Sequence, residues 1–406
     1  MAATQYISDE IGSLDDSVRL QLNGDDIVIA ESWDVAEYVF AQPATWAMQL
    51  GSSAVAGELI RKYPKRTPFR LLVGGAVQMT GALDAVAASQ SIGGPTLVRF
   101  RGRDALAPLH DSFVKAEQSF NDATYADLVR RALKECGLNP DALRASNAAN
   151  RKAKAGVVVT QSEELSHLTV EQILSSFDKP GTVTLGATTI REQQSKANET
   201  WHEFVRRHID RAGLFLWAAA DGTFILSQPD GAQAPTYRIV RPANGSNGGS
   251  NVLSMEFDDD ATHRHSEAII YGKGGGRKSG RAKSKGGFKD DEMTVAGYDQ
   301  AVVFRDVNVQ NGAEAAFFAQ RKLAEERRSG WRLEYVIAGH TLPAISGNGT
   351  DRAVVVPDTT VEVVDDEIGL NGVFYIEAVR RQRSPQTTTS IRLMRLTDLV
   401  FGQTEP

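Results

Sequence analysis

Two stretches near opposite ends of the chain follow the same order of residue types, and this repetition constrains the fold more than any other feature. Leu83-Asp84-Ala85-Val86 is followed by a Ser/Gly/Pro turn, the alternating run Leu97-Val98-Arg99-Phe100-Arg101, and Arg103-Asp104-Ala105-Leu106. Ile376-Glu377-Ala378-Val379 is followed by a Ser/Pro/Thr turn, the alternating run Ile391-Arg392-Leu393-Met394-Arg395, and Thr397-Asp398-Leu399. Alternation of apolar and polar residues is the signature of a half-buried strand, so each stretch reads as a long hairpin. Such a short repeat has two readings: a duplicated β-unit, or two ordinary hairpins of similar composition. A duplicated unit would let one chain fill two equivalent places in a symmetric assembly. The two turns differ by about one residue in this alignment.

Length and charge narrow the rest. At 406 residues the chain exceeds the size at which one core stops growing, so several domains are expected. Its single cysteine, Cys136, excludes an internal disulfide and a cysteine-based zinc site. A net charge of −6 does not suggest a general nucleic-acid binder. The polar, acidic N-terminus has no apolar leader core, and no apolar run approaches the roughly 18 residues of a spanning helix. The expectation is a protein folded in a reducing cytoplasm that does not insert itself into a membrane.

The fold class that these patterns predict is α+β and β-rich: two antiparallel β-barrel domains separated by a smaller α+β module, with an inserted basic Gly-rich loop and helix. Residues 1–109 form the first barrel, with strands at 18–30, 69–73, 76–86 and 96–101 and a short helix capped by Ser32 that aligns Ala36, Val39 and Phe40. Residues 110–235 form the α+β module. There Thr124 and Asp127 resemble a capping box ahead of an amphipathic helix that Gly137 ends, and Asn198 caps a second helix. The hairpin Leu214–Leu226 turns at Asp221-Gly222. Residues 236–271 and 330–406 form the second barrel, and 272–329 are an inserted flexible loop and charged helix.

Several segments invite a chemical reading. Gly272-Lys-Gly-Gly-Gly-Arg-Lys278-Ser279 follows a strand, as a phosphate-binding loop does. Arg277 breaks the Gly-Lys-Ser order, however, and the glycines beyond cannot start the helix whose N-terminus would hold phosphate. The loop reads instead as a solvated linker or a basic partner contact through Lys273, Arg277, Lys278, Arg281, Lys283, Lys285 and Lys289. His263 and His265 could place two imidazoles on one strand face, but no third ligand lies at short spacing. His110, His167, His202, His208 and His340 are scattered. Asp365-Asp366-Glu367 reads as an acidic turn, and Gly51-Ser52-Ser53 lacks the second glycine of a nucleophile elbow. No catalytic, cofactor or metal residues are expected.

Three segments, in this order, resemble the baseplate hub proteins of contractile-tailed bacteriophages, especially Mu-like phages, and their relatives in phage-derived injection systems. The first is Met79–Val86 through Arg101-Gly-Arg-Asp104 and Asp111. The second is Thr200-Trp-His-Glu-Phe204 through Arg211–Leu216 and Asp221–Leu226. The third is Ala316–Arg327 through Val356–Val363 and Val373–Val379. The resemblance implies that the two barrels are tail-tube-like and that the protein is a homotrimer, a ring of pseudo-sixfold symmetry. It implies a structural, non-enzymatic hub that joins a sixfold tail tube to a trimeric central spike, with a lumen for DNA. The implied partners are the spike protein, a tail tube or tube-initiator protein, and possible contacts with tape measure and baseplate wedge proteins. The implied location is the tail baseplate of a virion assembled in the host cytoplasm. No cofactor carries over, and the basic loop has no place in the family pattern. The rival readings are a cell-wall-degrading tail enzyme and a nucleic-acid-binding module that uses the basic loop.

Overall fold

The structure is a computed structural model. It describes residues 17–27, 31–40, 43–51, 56–94, 96–115, 119–120, 123–144, 154, 189–190, 193–243, 249–272, 285–306, 309, 311–345 and 352–400. The chain opens with β1 (Val18–Leu22), β2 (Asp25–Ile27), β3 (Ser32–Tyr38), β4 (Thr45–Gly51), α1 (Ala56–Lys62), β5 (Pro68–Val73), β6 (Ala76–Gln90), β7 (Thr96–Asp104) and α2 (Ala107–Asp111). The middle section holds β8 (Ser119–Phe120), β9 (Ala123–Thr124), α3 (Tyr125–Glu135), β10 (Leu143–Arg144), β11 (Thr189–Ile190), β12 (Gln193–Gln194), α4 (Trp201–Ile209), β13 (Phe215–Ala218) and β14 (Phe224–Ser227). There follow β15 (Tyr237–Arg241), β16 (Ser254–Asp259), β17 (Glu267–Gly272), β18 (Lys285–Lys289), α5 (Asp291–Val295), β19 (Ala301–Asp306) and α6 (Gly312–Gly330). The last strands are β20 (Trp331–Ala338), β21 (Thr341–Pro343), β22 (Arg352–Val354), β23 (Thr360–Asp365), β24 (Leu370–Arg383) and β25 (Thr387–Arg395).

The fold is β-rich α+β, as the sequence predicts. Among the described residues, 13 strands form one sheet in the order β16-β20-β25-β24-β3-β4-β7-β6-β5-β1-β2, with β23 on β24 and β15 parallel to β23. Each half of the sheet covers its own core. Leu20, Val35, Trp46, Phe69, Leu83 and Phe100 fill the first, and Ile239, Leu333, Tyr335, Val363, Ile376 and Ile391 fill the second.

The repeat seen in the sequence is a repeated meander. Strands β5-β6-β7 and β23-β24-β25 are consecutive antiparallel triplets. Each long middle strand carries a bulge at the same place, between Leu83 and Ala85 in one and between Ile376 and Ala378 in the other. The bulged residue is the acid, Asp84 or Glu377, and each is held by an arginine of the next strand. Arg103 donates to Asp84 at 2.7 and 3.0 Å, and Arg392 lies 3.3 Å from Glu377. A bulge adds one residue and a local bend, so its repetition at the matching acid is a shared device. Val86 faces Phe100 as Val379 faces Ile391, which fixes the register between the copies. Gln90 then pairs with Thr96 and Arg383 with Thr387, leaving turns of five and three residues. The turns therefore differ by two residues, where the sequence alignment gives about one.

One element departs from its predicted type. Residues 32–40, read as a Ser32-capped helix, supply the strand β3. Trp33 and Val35 alternate into the first core, and β4 and β24 occupy both edges of the strand. Pairing on both sides satisfies the backbone, and aromatic and β-branched side chains fit a pleated surface, so tertiary context overrides the helical spacing.

The α+β module follows its sequence signals closely. Thr124 and Asp127 form the capping box of α3. Helix α4 is capped by Thr200 with Glu203, not by Asn198. Asn198 instead stands at a φ of 59° in the preceding turn. Leu128, Val129, Phe204, Val205 and Leu226 form the module's core. It docks on the large sheet where Trp217 Nε1 donates to Val39 O at 2.9 Å and Phe215 meets Phe40 edge-on.

The sequence places 266–271 with the second barrel and reads Gly272–Gly287 as loop. Strand β17 hydrogen-bonds instead to β18 and β19, and α6 packs on this small sheet. Ala268, Ile270, Ala315, Ala319 and Leu323 form its core. Residues 273–284 lie outside the described residues, but Gly286 and Gly287 are part of β18. A Cβ on Gly286 would stand 2.3 Å from Ala316 N and 2.5 Å from Gly312 O, so glycine is what lets the strand meet the helix backbone. Gly286→Ala is expected to cost about 2 kcal/mol as an overpacked contact, read from the urea midpoint.

Candidate functional site

The most built-up polar feature among the described residues is the seam where the two meanders join. Strand β24 pairs with β23 through residues 370–375, and beyond its bulge the same edge pairs with β3, from Ala378 opposite Tyr38 to Arg383 opposite Trp33. On the outer face Arg380 binds both oxygens of Asp34, at 2.9 and 2.7 Å. On the other face, Arg383 lies over the ring of Trp33 opposite it, 5.2 Å from its centroid.

The inner face buries charge. Arg381, fully buried, donates to Glu37 Oε1 at 3.2 Å and to Val355 O at 2.5 Å. Gln78 Oε1 lies at 3.4 Å from the same guanidinium, and Lys154 Nζ reaches Glu37 Oε2 at 2.5 Å. Burial pushes the Glu37 carboxyl up, but the charges of Lys154 and Arg381 outweigh it and hold the pKa below the ordinary value. Nearby, burial pushes Asp104 up to about 6, although its oxygens accept from Ala44 N and Leu106 N. Opposite Arg381, the buried Thr389 hydroxyl lies 2.8 Å from His340 Nδ1 and donates to Gly339 O at 2.7 Å, and the charged groups around Arg381 pair with one another. Its chemistry is that of a fixed joint.

A second polar joint ties the small β17–β19 unit to the closing hairpin. Asp398 has a fully buried side chain and accepts from Arg327 at 2.8 Å and Arg395 at 3.0 Å. Arg264 donates to Asp290 at 3.1 Å and Glu292 at 2.7 Å, and Arg395 also binds Glu292 at 2.8 Å. The pairing Asp398–Arg395 joins two residues that the sequence repeat singles out.

The predicted partner-contact residues divide. Lys273, Arg277, Lys278, Arg281 and Lys283 lie outside the described residues. Lys285 and Lys289 are the ends of β18, and Lys285 Nζ sits 5.5 Å from the centre of the Tyr271 ring. His265 is taken by Glu326 at 3.0 Å, and among the described residues no three His, Cys, Asp or Glu side chains group to hold a metal. The Asp365 turn is structural: its buried carboxylate accepts from Arg241 at 2.9 Å and Tyr335 at 2.7 Å. No helix among the described residues is long and apolar enough to cross a membrane.

His110 and His202 stack with ring centres 3.7 Å apart. Burial pushes their pKa values down, to about 4 and about 3. Their folded values lie below the unfolded one, so the unfolded chain takes up protons first as pH falls. Their contribution to stability is full above about pH 6.5 and declines as the pH falls below it. Thermal melts across that range should show the decline, and His202→Phe should flatten it.

Sequence reasoning missed the seam. Its signal is the adjacent pair Arg380-Arg381 at the end of the apolar-rich run of β24, matched by Asp34 and Glu37, one on each face of β3. No rule of spacing links residues so far apart in the chain.

The fold is similar to that of solved phage and prophage tail proteins. No family model and no curated protein matches the chain. Among solved structures it is similar to the tail protein from Neisseria meningitidis MC58, at 18% identity and a TM-score of 0.69, covering 95% of this chain and 98% of that one. It is also similar to the 43 kDa tail protein of prophage MuSo2 from Shewanella oneidensis, at 16% identity and a TM-score of 0.67, covering 94% and 98%. A third likeness is to an Escherichia coli type VI secretion component described as structurally similar to the T4 bacteriophage tail proteins gp27 and gp5. It has 11% identity and a TM-score of 0.51, covering 95% of this chain and 79% of that one.

Proposed function

We propose that the chain is a structural hub of a phage-type tail baseplate. The observation that carries this reading is the duplicated, equally bulged meander, welded edge to edge within one chain. Two similar sheet halves per chain let three chains offer six similar places, a match to a sixfold tail tube on one side and a threefold spike on the other. The likeness to solved tail proteins over nearly the whole chain supports the same reading. The partners under this proposal are two further copies, a central spike protein, and a tail tube or tube-initiator protein. Tape measure and wedge proteins could be reached from the ring's periphery, and DNA would pass through the lumen of the assembled virion. The domain division proposed with it keeps the two sheet halves and the α+β module, and widens the insertion to 267–330. The role is non-enzymatic, so purified protein is expected to leave peptidoglycan turbidity unchanged. Electron microscopy of the purified protein tests the hub directly. A threefold ring with a sixfold-like face is expected, and a stable monomer that ignores the spike protein would sink the reading.

The basic segment belongs to this proposal as a partner contact. Deleting 273–289 is expected to destabilise the small sheet, because it removes β18. Deleting 273–284 isolates the question. If the segment binds nucleic acid, the deletion should reduce both DNA retention and its dependence on salt, by about one unit of log–log slope for each lost phosphate contact.

A further inference from the structure

The sheet has two unpaired strand edges among the described residues that repeat the two sides of the seam. Strand β6 pairs with β5 only as far as Ala82, so beyond its bulge residues 85–90 have β7 on one side and no described strand on the other. The equivalent half of β24 is where β3 binds. At the opposite end of the sheet, β16 pairs with β20 alone. Its position can be traced residue by residue. Asp34 faces Ala47, which faces Arg101; Glu256 faces Glu334, which faces Arg392. Arg101 and Arg392 are themselves equivalent, each opposite the alanine after the bulge. Strand β16 therefore stands to the second meander as β3 stands to the first.

We propose that β16 of one copy pairs antiparallel with residues 85–90 of β6 in a neighbouring copy, in the register of the internal seam. This places Asp258 opposite Ala87, Phe257 opposite Ala88 and Glu256 opposite Ser89. The side chains suit the arrangement. Phe257 is 45% exposed although it packs on Trp331 and lies beside buried Leu333, and a small Ala88 leaves room for it. The 85–90 edge carries no charge of its own, and Arg99 and Arg101, both exposed, face Ala87 and Ala85 from β7. They lie one strand further in, on the face where Glu256 and Asp258 would arrive. The contact joins one edge to a different edge, so it runs head to tail and closes only as a ring. It also covers an apolar edge that would otherwise invite aggregation. The inference rests on the hub reading and adds the surfaces that close it.

The test uses the full chain with Cys136→Ser, Ala88→Cys and Phe257→Cys. Directly opposed residues of an antiparallel pair have Cα atoms about 4.5–5.5 Å apart, within disulfide range. Oxidation is expected to give reducible covalent dimers and trimers. Ser89→Cys with Phe257→Cys should give none, since a one-residue shift turns the side chains to opposite faces. A trimer by native mass spectrometry that shows no covalent ladder overturns this pairing and leaves the hub reading standing. A chain that stays monomeric at all concentrations overturns both. Phe257→Glu provides a second arm: an association constant at least tenfold weaker with unchanged melting of the monomer is expected, and unchanged association counts against the pairing.

Discussion

Arg381→Ala is expected to lower the stability of the folded chain by about 3–5 kcal/mol, because it removes one member of a fully buried ionic joint. Arg381 is completely buried, and its partners Glu37, Gln78 and the carbonyl of Val355 have no water to turn to. Glu37 would keep only Lys154, on an oxygen that Lys154 already uses. The loss should appear as a shifted urea midpoint and as weaker protection of the β3 and β24 amides. A pH series separates the charge from the packing. The Glu37 pKa lies below its ordinary value when folded, so its contribution is present above the unfolded value and is lost as pH falls. Wild type should lose stability in acid more steeply than the variant. Arg381→Met, which fills the space without charge, should destabilise less than the alanine variant if packing matters. Equal loss in both would assign the effect to the stranded carboxylate.

Asp398→Ala is expected to cost about 3 kcal/mol by the same physics, with a different consequence. Its carboxylate accepts from Arg327 on α6 and from Arg395 on β25, so its loss leaves two guanidinium groups, 12% and 20% exposed, facing one another. Glu292 still binds Arg395, which moderates the effect. The small unit on β17–β19 should loosen from the closing hairpin before the large sheet melts. Hydrogen exchange should therefore show faster exchange across α6 with β6 and β7 unchanged. Uniform acceleration over the whole chain would contradict two separable joints.

Much of the fold is legible in the sequence because local signals and tertiary structure agree. The Thr124–Asp127 capping box, the hairpin around Asp221-Gly222 and the alternation of Val98, Phe100, Ile391 and Leu393 all declare their elements. The duplicated hairpin is visible too, down to the bulged acids. The failures occur where distant pairing decides. Strand β3 has helical spacing but two strand neighbours, one of them over 300 residues away. Gly286 and Gly287 have the composition of a linker, yet a helix backbone pressed against the strand is what requires the first of them. The seam was illegible for the same reason: Glu37, Gln78 and Arg381 come together only through the sheet order, which no local period encodes.

The bulge at Glu377 lets one edge of β24 serve two neighbours in succession, β23 before it and β3 after it. The consequence is mechanical. A pull that slides one half of the chain along the strand direction meets all six residue pairs of the seam at the same moment. A pull that peels the halves apart meets them one at a time. The joint is therefore strong in shear and weak in peel, and the inner lattice of Arg381, Glu37 and Lys154 acts as a rivet at its centre.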